Sequence, residues 1–143
     1  MKEKVIFAPM KRLFILMVTI LSLVNIQAQT IRNSNNSTLA TINTNGEVRN
    51  SNNSLVGKIS SNGEIRDSNN HYLGKIDGHT VRNSNNSTLG YIESDGTVRN
   101  SNNSLLGKVY DDGTVRDSNN HCIGYARGVP RSYAALFFFF SFF

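Results

Sequence analysis

The sequence predicts an all-β fold: a closed ring or shallow barrel of repeated 17-residue β-hairpin units, with a hydrophobic C-terminal helix plugging the barrel. Three observations carry that prediction. A 17-residue motif starts at Ile31, Val48, Ile65, Val81, Val98 and Val115, with one spacing cut to 16. Each copy sets short β-branched segments between turns rich in Asn, Asp, Ser and Gly, and no helical period appears. Six of the eight phenylalanines fall in "SYAALFFFFSFF" at 132–143, so the repeats contain none.

The chain divides into 1–28, 29–130 and 131–143. Residues 1–28 read as a signal peptide: Lys11-Arg12 precede the apolar run "LFILMVTILSLV", and the small residue Ala28 closes the segment. That run is too short for an ordinary transmembrane helix. A buried N-terminal helix is the plain alternative, and Met10 opens a compact version of the same signal. Export follows as the expectation, to the periplasm, the cell surface or the exterior. Cleavage would remove four of the 15 basic and one of the 10 acidic residues, leaving a balance of +2. The high pI is therefore no argument for nucleic acid, and none is expected as a partner. The single cysteine, Cys122, has no internal disulfide partner. Other copies hold Thr, Leu or Tyr at its position, which points to packing.

The repeat domain, 29–130, is clearest on one copy, "VRNSNNSTLGYIESDGT" at 81–97, numbered 1 to 17. Position 1 is always Ile or Val. Position 9 is Leu, Val or Ile, and position 12 is Ile, Val or Ala126. Asn-Gly or Asp-Gly ends four copies, at 45–46, 62–63, 95–96 and 112–113. A three-residue loop there is a type I turn closed by a left-handed glycine. It sets Ile42 opposite Val48, Ile59 opposite Ile65, Ile92 opposite Val98 and Val109 opposite Val115. In the short copy, a two-residue Gly78-His79 loop of type II′ keeps Ile76 opposite Val81. Ser-Asn-Asn supplies the second turn, because Asn tolerates positive φ and bonds its own backbone. A three-residue loop there sets position 3 opposite 7 and position 1 opposite 9, so Val81 is expected to face Leu89. Positions 9 and 12 would point to opposite faces of a flat strand. The Gly at position 10, or Ala40, is expected to mark a bulge that turns both inward.

A lone first strand at 31–34 and a lone last strand at 122–126 are left to meet and close the ring, which removes exposed edges. An open parallel β-helix is the rival, although it has no need of two hairpin turns per repeat. The tandem Arg-Asn/Asp-Ser-Asn-Asn and Leu-Gly-x-Ile motifs of "VRNSNNSTLGYIESDGT" and "VRDSNNHCIGYARG", behind a signal peptide and before a hydrophobic tail, resemble the β-flower proteins of bacteria. The resemblance covers about 30–130. It implies a shallow symmetric barrel of hairpin petals and brings no established activity. In outline it is similar to tubby-like barrels, where a hydrophobic helix fills the barrel; fold alone does not assign function.

The Phe-rich segment, 131–143, has two readings. As a helix it fills the barrel, and each buried Phe contributes about 1.5–3 kcal/mol. Alternatively it touches a membrane, although it is too short to span one and lacks a polar face.

Two sets of residues are candidate sites. Arg32, Arg49, Arg66, Arg82, Arg99 and Arg116 share position 2 and form a basic circle in a closed ring, joined by Lys58, Lys75 and Lys108 at position 11. Such a ring suits a membrane surface, anionic lipid or an acidic glycan. The plain alternative is a solvated face neutralised by the acids at 47, 64, 93 and 95. Asp67 with His71, and Asp117 with His121, face each other across the second turn. They suit metal or acid–base work in residue type, but two ligands per site are too few and no nucleophile accompanies them. A cross-strand ion pair is the simpler reading. No cofactor motif is present. The sequence therefore points to a monomeric, exported, non-enzymatic β-repeat protein serving as a binding or envelope-associated module. The alternative is a secreted scaffold that binds a glycan or protein partner on its petals.

Overall fold

The computed structural model describes residues 29–143. The signal-peptide expectation for 1–28 lies outside them.

The asparagine turns fold as their chemistry dictates. Asn36, Asn53, Asn70, Asn86, Asn103 and Asn120, all at position 6, adopt φ between +63° and +68°. In the first copy the Asn36 N–H donates to the Asn33 carbonyl at 3.0 Å, and the Asn33 N–H donates to the Ser37 carbonyl at 2.9 Å. Position 3 then braces the loop from inside. The Asn50 side-chain oxygen accepts from the Asn52 and Ser54 backbone N–H groups, both at 3.0 Å. The glycine turn closes the same way, with Gly46, Gly63, Gly96 and Gly113 at φ +84° to +88°. A Cβ on Gly96 would collide with the Val109 carbonyl of the next hairpin, so glycine is required for space as well as for φ. That carbonyl lies close because the Val109 N–H donates back to the Gly96 carbonyl at 2.9 Å, stitching one turn to the next strand. In the short copy Gly78 is at φ +60° while His79 stays negative, the type II′ pattern.

These turns alternate with twelve strands, β1 (Gln29–Asn33), β2 (Thr38–Ile42), β3 (Glu47–Asn50), β4 (Leu55–Ile59), β5 (Glu64–Asp67), β6 (Tyr72–Asp77), β7 (Thr80–Asn83), β8 (Thr88–Ile92), β9 (Thr97–Asn100), β10 (Leu105–Val109), β11 (Thr114–Asp117) and β12 (Cys122–Tyr125). Each strand pairs antiparallel with its chain neighbours, and β1 pairs with β12 to close the barrel. The closing rungs are Arg32 opposite Tyr125 and Asn33 opposite Gly124. The five apolar pairs expected across the glycine loops are all present, including Ile76 opposite Val81 in the short hairpin.

The register across the asparagine turns differs from the expectation at one rung. Val81 faces Gly90 and not Leu89, while Arg82 faces Thr88. Leu89 is the extra residue of a β-bulge, and the same slip recurs in all but the hairpins joined by glycine turns. So positions 10 and 12 turn inward, and position 9 stays half-buried at the bulge. The physical reason is room: a bare glycine facing inward leaves space for a bulky ring against it.

The C-terminal segment supplies those rings. Helix α1 (Arg131–Phe139) starts after Pro130, whose carbonyl accepts from the Tyr133 and Ala134 N–H groups at 3.0 and 3.1 Å. Arg131 anchors this end on the glycine-turn side, bonding the Ser94 carbonyl at 3.1 Å and pairing with Asp111. Ala134, Ala135 and Leu136 are fully buried in one apolar cluster with the inward strand residues. The position-1 residues Ile31, Val48, Ile65, Val81, Val98 and Val115 all have 0% exposure in that cluster. The rings follow an order. A Cβ built on Gly124 would meet Phe138, on Gly107 Phe139, on Gly90 Phe140, on Gly74 Phe142 and on Gly57 Phe143. As the tail advances, it visits the petals in reverse. Ser141, at φ +51°, ends the helical path between Phe140 and Phe142. Phe137 packs edge-on against Phe138, with ring centroids 5.6 Å apart.

Candidate functional site

Because strand side chains alternate, inward positions 1, 10 and 12 leave positions 2 and 11 on the outer wall. The six arginines therefore form a belt outside the barrel. Each has a structural task that sequence reasoning missed. Every position-2 arginine donates from Nη1 to the carbonyl of the left-handed asparagine four residues on, at 2.8–3.2 Å. The constant spacing of Arg and the second Asn is the sequence signal for this staple.

The belt is partly neutralised. Arg49 pairs with Glu47 at 3.4 Å, Arg66 with Glu64 at 3.1 Å, Arg99 with Glu93 at 2.8 Å and Lys108 with Asp95 at 3.1 Å. These are the four acids expected at 47, 64, 93 and 95. Lys75 also pairs, with Asp77 at 3.6 Å. Among the described residues, Arg32, Arg82, Arg116 and Lys58 have no ion pair. The register brings Lys58 opposite Arg66, Lys75 opposite Arg82 and Lys108 opposite Arg116, so like charges share rungs on the outer face.

Three carboxylates on this surface are held in their ionised form. Two hydrogen bonds from Thr97, the backbone one first, push Asp95 down to about 2, and Lys108 adds to it. Asp112 is lowered chiefly by the Thr114 backbone N–H, and Glu47 chiefly by the Asn43 side chain.

The Asp–His pairs meet across the asparagine turns. His71 Nδ1 lies 3.0 Å from Asp67 Oδ2, and His121 Nδ1 lies 3.5 Å from Asp117 Oδ2. In each pair the other carboxylate oxygen accepts the backbone N–H groups that position 3 always braces. That bracing lowers both carboxyls, through the His71 and His121 backbone N–H groups first. An aspartate at position 3 thus keeps the turn and frees one oxygen for the histidine. Both imidazoles are about three-quarters exposed. The pairs sit on the third and sixth petals, on opposite sides of the ring, so they form no common site. Among the described residues no group of three or more His, Cys, Asp or Glu is placed to hold a metal. The third histidine works locally: His79 Nδ1 lies 2.8 Å from the Ile92 carbonyl, which puts the proton on that nitrogen.

Cys122 is half-buried, with its sulfur 3.7 Å from the Gly124 carbonyl. Its hydrogen bond with Tyr125 raises the phenol above its ordinary value. Arg127, which no repeat position singles out, stacks on the Tyr125 ring at 5.6 Å. Together with Arg32 it lines a groove of about 660 Å³ where β1 meets β12.

A closed antiparallel barrel of repeated hairpins, with its basic residues turned outward and a phenylalanine-rich helix in its apolar cluster, is a repeat-built β-barrel protein. More particularly, the chain belongs to the β-flower family: the family model described as "5-fold beta-flower protein" matches residues 28–142. The barrel here has six asparagine-turn hairpins, one more than that description counts. No curated protein and no solved structure matches the chain.

Proposed function

We propose that this β-flower protein is exported by residues 1–28 and acts, without catalysis, as a module of the cell envelope. In this reading its outer arginine belt contacts an anionic surface, and helix α1 serves as the barrel's plug. One observation carries the reading. Six arginines are held at one height by identical backbone staples, and three of them, Arg32, Arg82 and Arg116, keep no carboxylate among the described residues. A staple uses one of five guanidinium donors, and Arg82 spends a further one on the Thr88 hydroxyl at 3.2 Å, so each of the three keeps donors for an anion. The seating of five phenylalanines against inner glycines supports the plug, because those rings already have partners on the strands. No helix among the described residues is long and apolar enough to cross a membrane.

Co-sedimentation with vesicles tests the proposal. The full chain is expected to pellet with vesicles of mixed phosphatidylglycerol and phosphatidylcholine at low salt, and to stay in solution with phosphatidylcholine alone. Changing Arg32, Arg82 and Arg116 together to Gln should abolish pelleting. A chain that ignores the anionic vesicles sinks the envelope-surface reading.

A further inference from the structure

Two outer grooves between petals are built from the same repeat positions. The one between β8 and β9 is lined by Tyr91 (position 11), Glu93 (13), Ser101 (4) and Asn103 (6), with His79 and Ser94. At the seam between β12 and β1 the same positions supply Tyr125, Arg127, Ser34 and Asn36, joined by Arg32. The registers match: Arg99 faces Tyr91, and Arg32 faces Tyr125. Yet the charges differ. In the first groove Arg99 Nε donates to Glu93 Oε1 at 2.8 Å. At the seam, position 13 is Arg127, so an arginine stands at the repeat position of Glu93, and it lines the groove together with Arg32.

We propose that this seam groove is a binding site for a phosphate-type oxyanion, clasped between Arg32 and Arg127. Two like charges lining one groove repel, and an anion between them removes that repulsion. Both partners are oriented beforehand: Arg32 by its staple to the Asn36 carbonyl at 3.0 Å, Arg127 by stacking on Tyr125. Arg32 spends one donor on the staple and keeps four for an oxyanion, which a planar fork grips in pairs. The hydroxyls of Ser34 and Tyr125 line the same groove. No carboxylate is among its described lining residues. Asp112 feels the Arg127 charge but makes no ion pair with it, and its first hydrogen bonds go to Thr114. A groove of about 660 Å³ has room for a phosphate and the group it is esterified to. The site deepens the envelope reading, resting on it only for the source of the anion, a lipid headgroup as against free phosphate.

The test is titration of the full chain with inorganic phosphate at low ionic strength, where surface electrostatics are least screened. Wild-type protein is expected to bind one phosphate, with the NMR shifts centred on Arg32 and Arg127. Arg127→Glu restores the pairing seen at Glu93 and Arg99, so the fold should hold while phosphate affinity falls about tenfold or more, the weight of a charge-assisted hydrogen bond. Glu93→Arg copies the seam into the groove between β8 and β9 and should add a second phosphate site. Equal binding by wild type and Arg127→Glu overturns the proposal, as does a Glu93→Arg chain that gains no site. The vesicle assay separates the two readings. Phosphate bound at the seam without pelleting on phosphatidylglycerol vesicles keeps the site and removes the envelope surface. Pelleting that Arg127→Glu leaves unchanged, with no phosphate bound, does the reverse.

Discussion

Gly90 has no positive φ, so its backbone would accept an alanine. On chain entropy alone, Gly90→Ala should stabilise the protein by about 0.4–1 kcal/mol. The structure predicts the opposite sign. The added Cβ would collide with the Arg99 carbonyl and stand 2.9 Å from the Phe140 ring and 3.1 Å from the Asn100 Cα. The carbonyl is backbone on the paired strand β9, so it yields only if the β8–β9 ladder opens. Overpacking of this kind costs about 1–3 kcal/mol. Set against the entropic gain, the net loss is about 1–2 kcal/mol. With a urea m-value near the low end for small domains, about 1 kcal/mol/M, the unfolding midpoint should fall by roughly 1–2 M. The assay is urea unfolding of the full chain by circular dichroism. Phe140→Leu in the same chain should not rescue it, because the nearer obstacle is the carbonyl. Ala40 is the internal comparison: it holds the same repeat position in the first petal, 1% exposed, with a Cβ already accommodated. Ala40→Gly should therefore lose about 0.5–1 kcal/mol. A Gly90→Ala midpoint equal to or above wild type would refute the idea that these glycines exist for lack of room.

Asn86, at φ +63°, should tolerate Gly with little change but lose about 1–2 kcal/mol as Ala, measured by the same unfolding curves; equal stability of the two variants would remove the left-handed turn as a determinant. For Asp95 the folded pKa, about 2, lies below its ordinary value of 3.8. Its contribution is therefore present above the unfolded value and is lost as pH falls from about 4 toward 2. Asp67, Asp112, Asp117 and Glu47 are lowered too, and act in the same direction. Stability measured by denaturant should decline through that acid range, and Asp95→Asn should flatten the decline; a wild-type profile level down to pH about 2 would contradict the hydrogen-bond assignments. A chain ending at Pro130 should lose cooperative unfolding and bind a hydrophobic dye, because the buried Ala134, Ala135 and Leu136 and the five seated rings leave with the tail. Unchanged cooperative unfolding there would show that the strands hold together alone.

Turn chemistry makes most of the barrel readable from the residues alone. Asn-Gly, Asp-Gly and Gly-His each specify a hairpin by local φ preferences, so the rungs Ile92 to Val98 and Ile76 to Val81 follow from loop length. Ring closure is readable as well, since unpaired first and last strands have one way to lose their edges. The Val81 to Gly90 rung is not. A bulge at Leu89 depends on what must fit against the inner wall, and the alternation pattern within one strand carries no information about that. The candidate site is legible by half. Its arginines and the acids at 47, 64, 93 and 95 stand out by repeat position, but the hydrogen bond from Arg32 to the Asn36 carbonyl does not. Arg127 gives no signal of its own, because its importance lies in a neighbour about 95 residues away in the chain, across the seam.

The hairpins and their number are thus written in the chain itself, because they depend on contacts a few residues apart repeated six times, and the two lone end strands then leave each other to pair with. Two features come only with the folded barrel. One is the order in which Phe138, Phe139, Phe140, Phe142 and Phe143 meet the inner glycines, and the other is the groove that Arg32 and Arg127 line together. Both depend on where the ends of the chain come to lie once the barrel has closed.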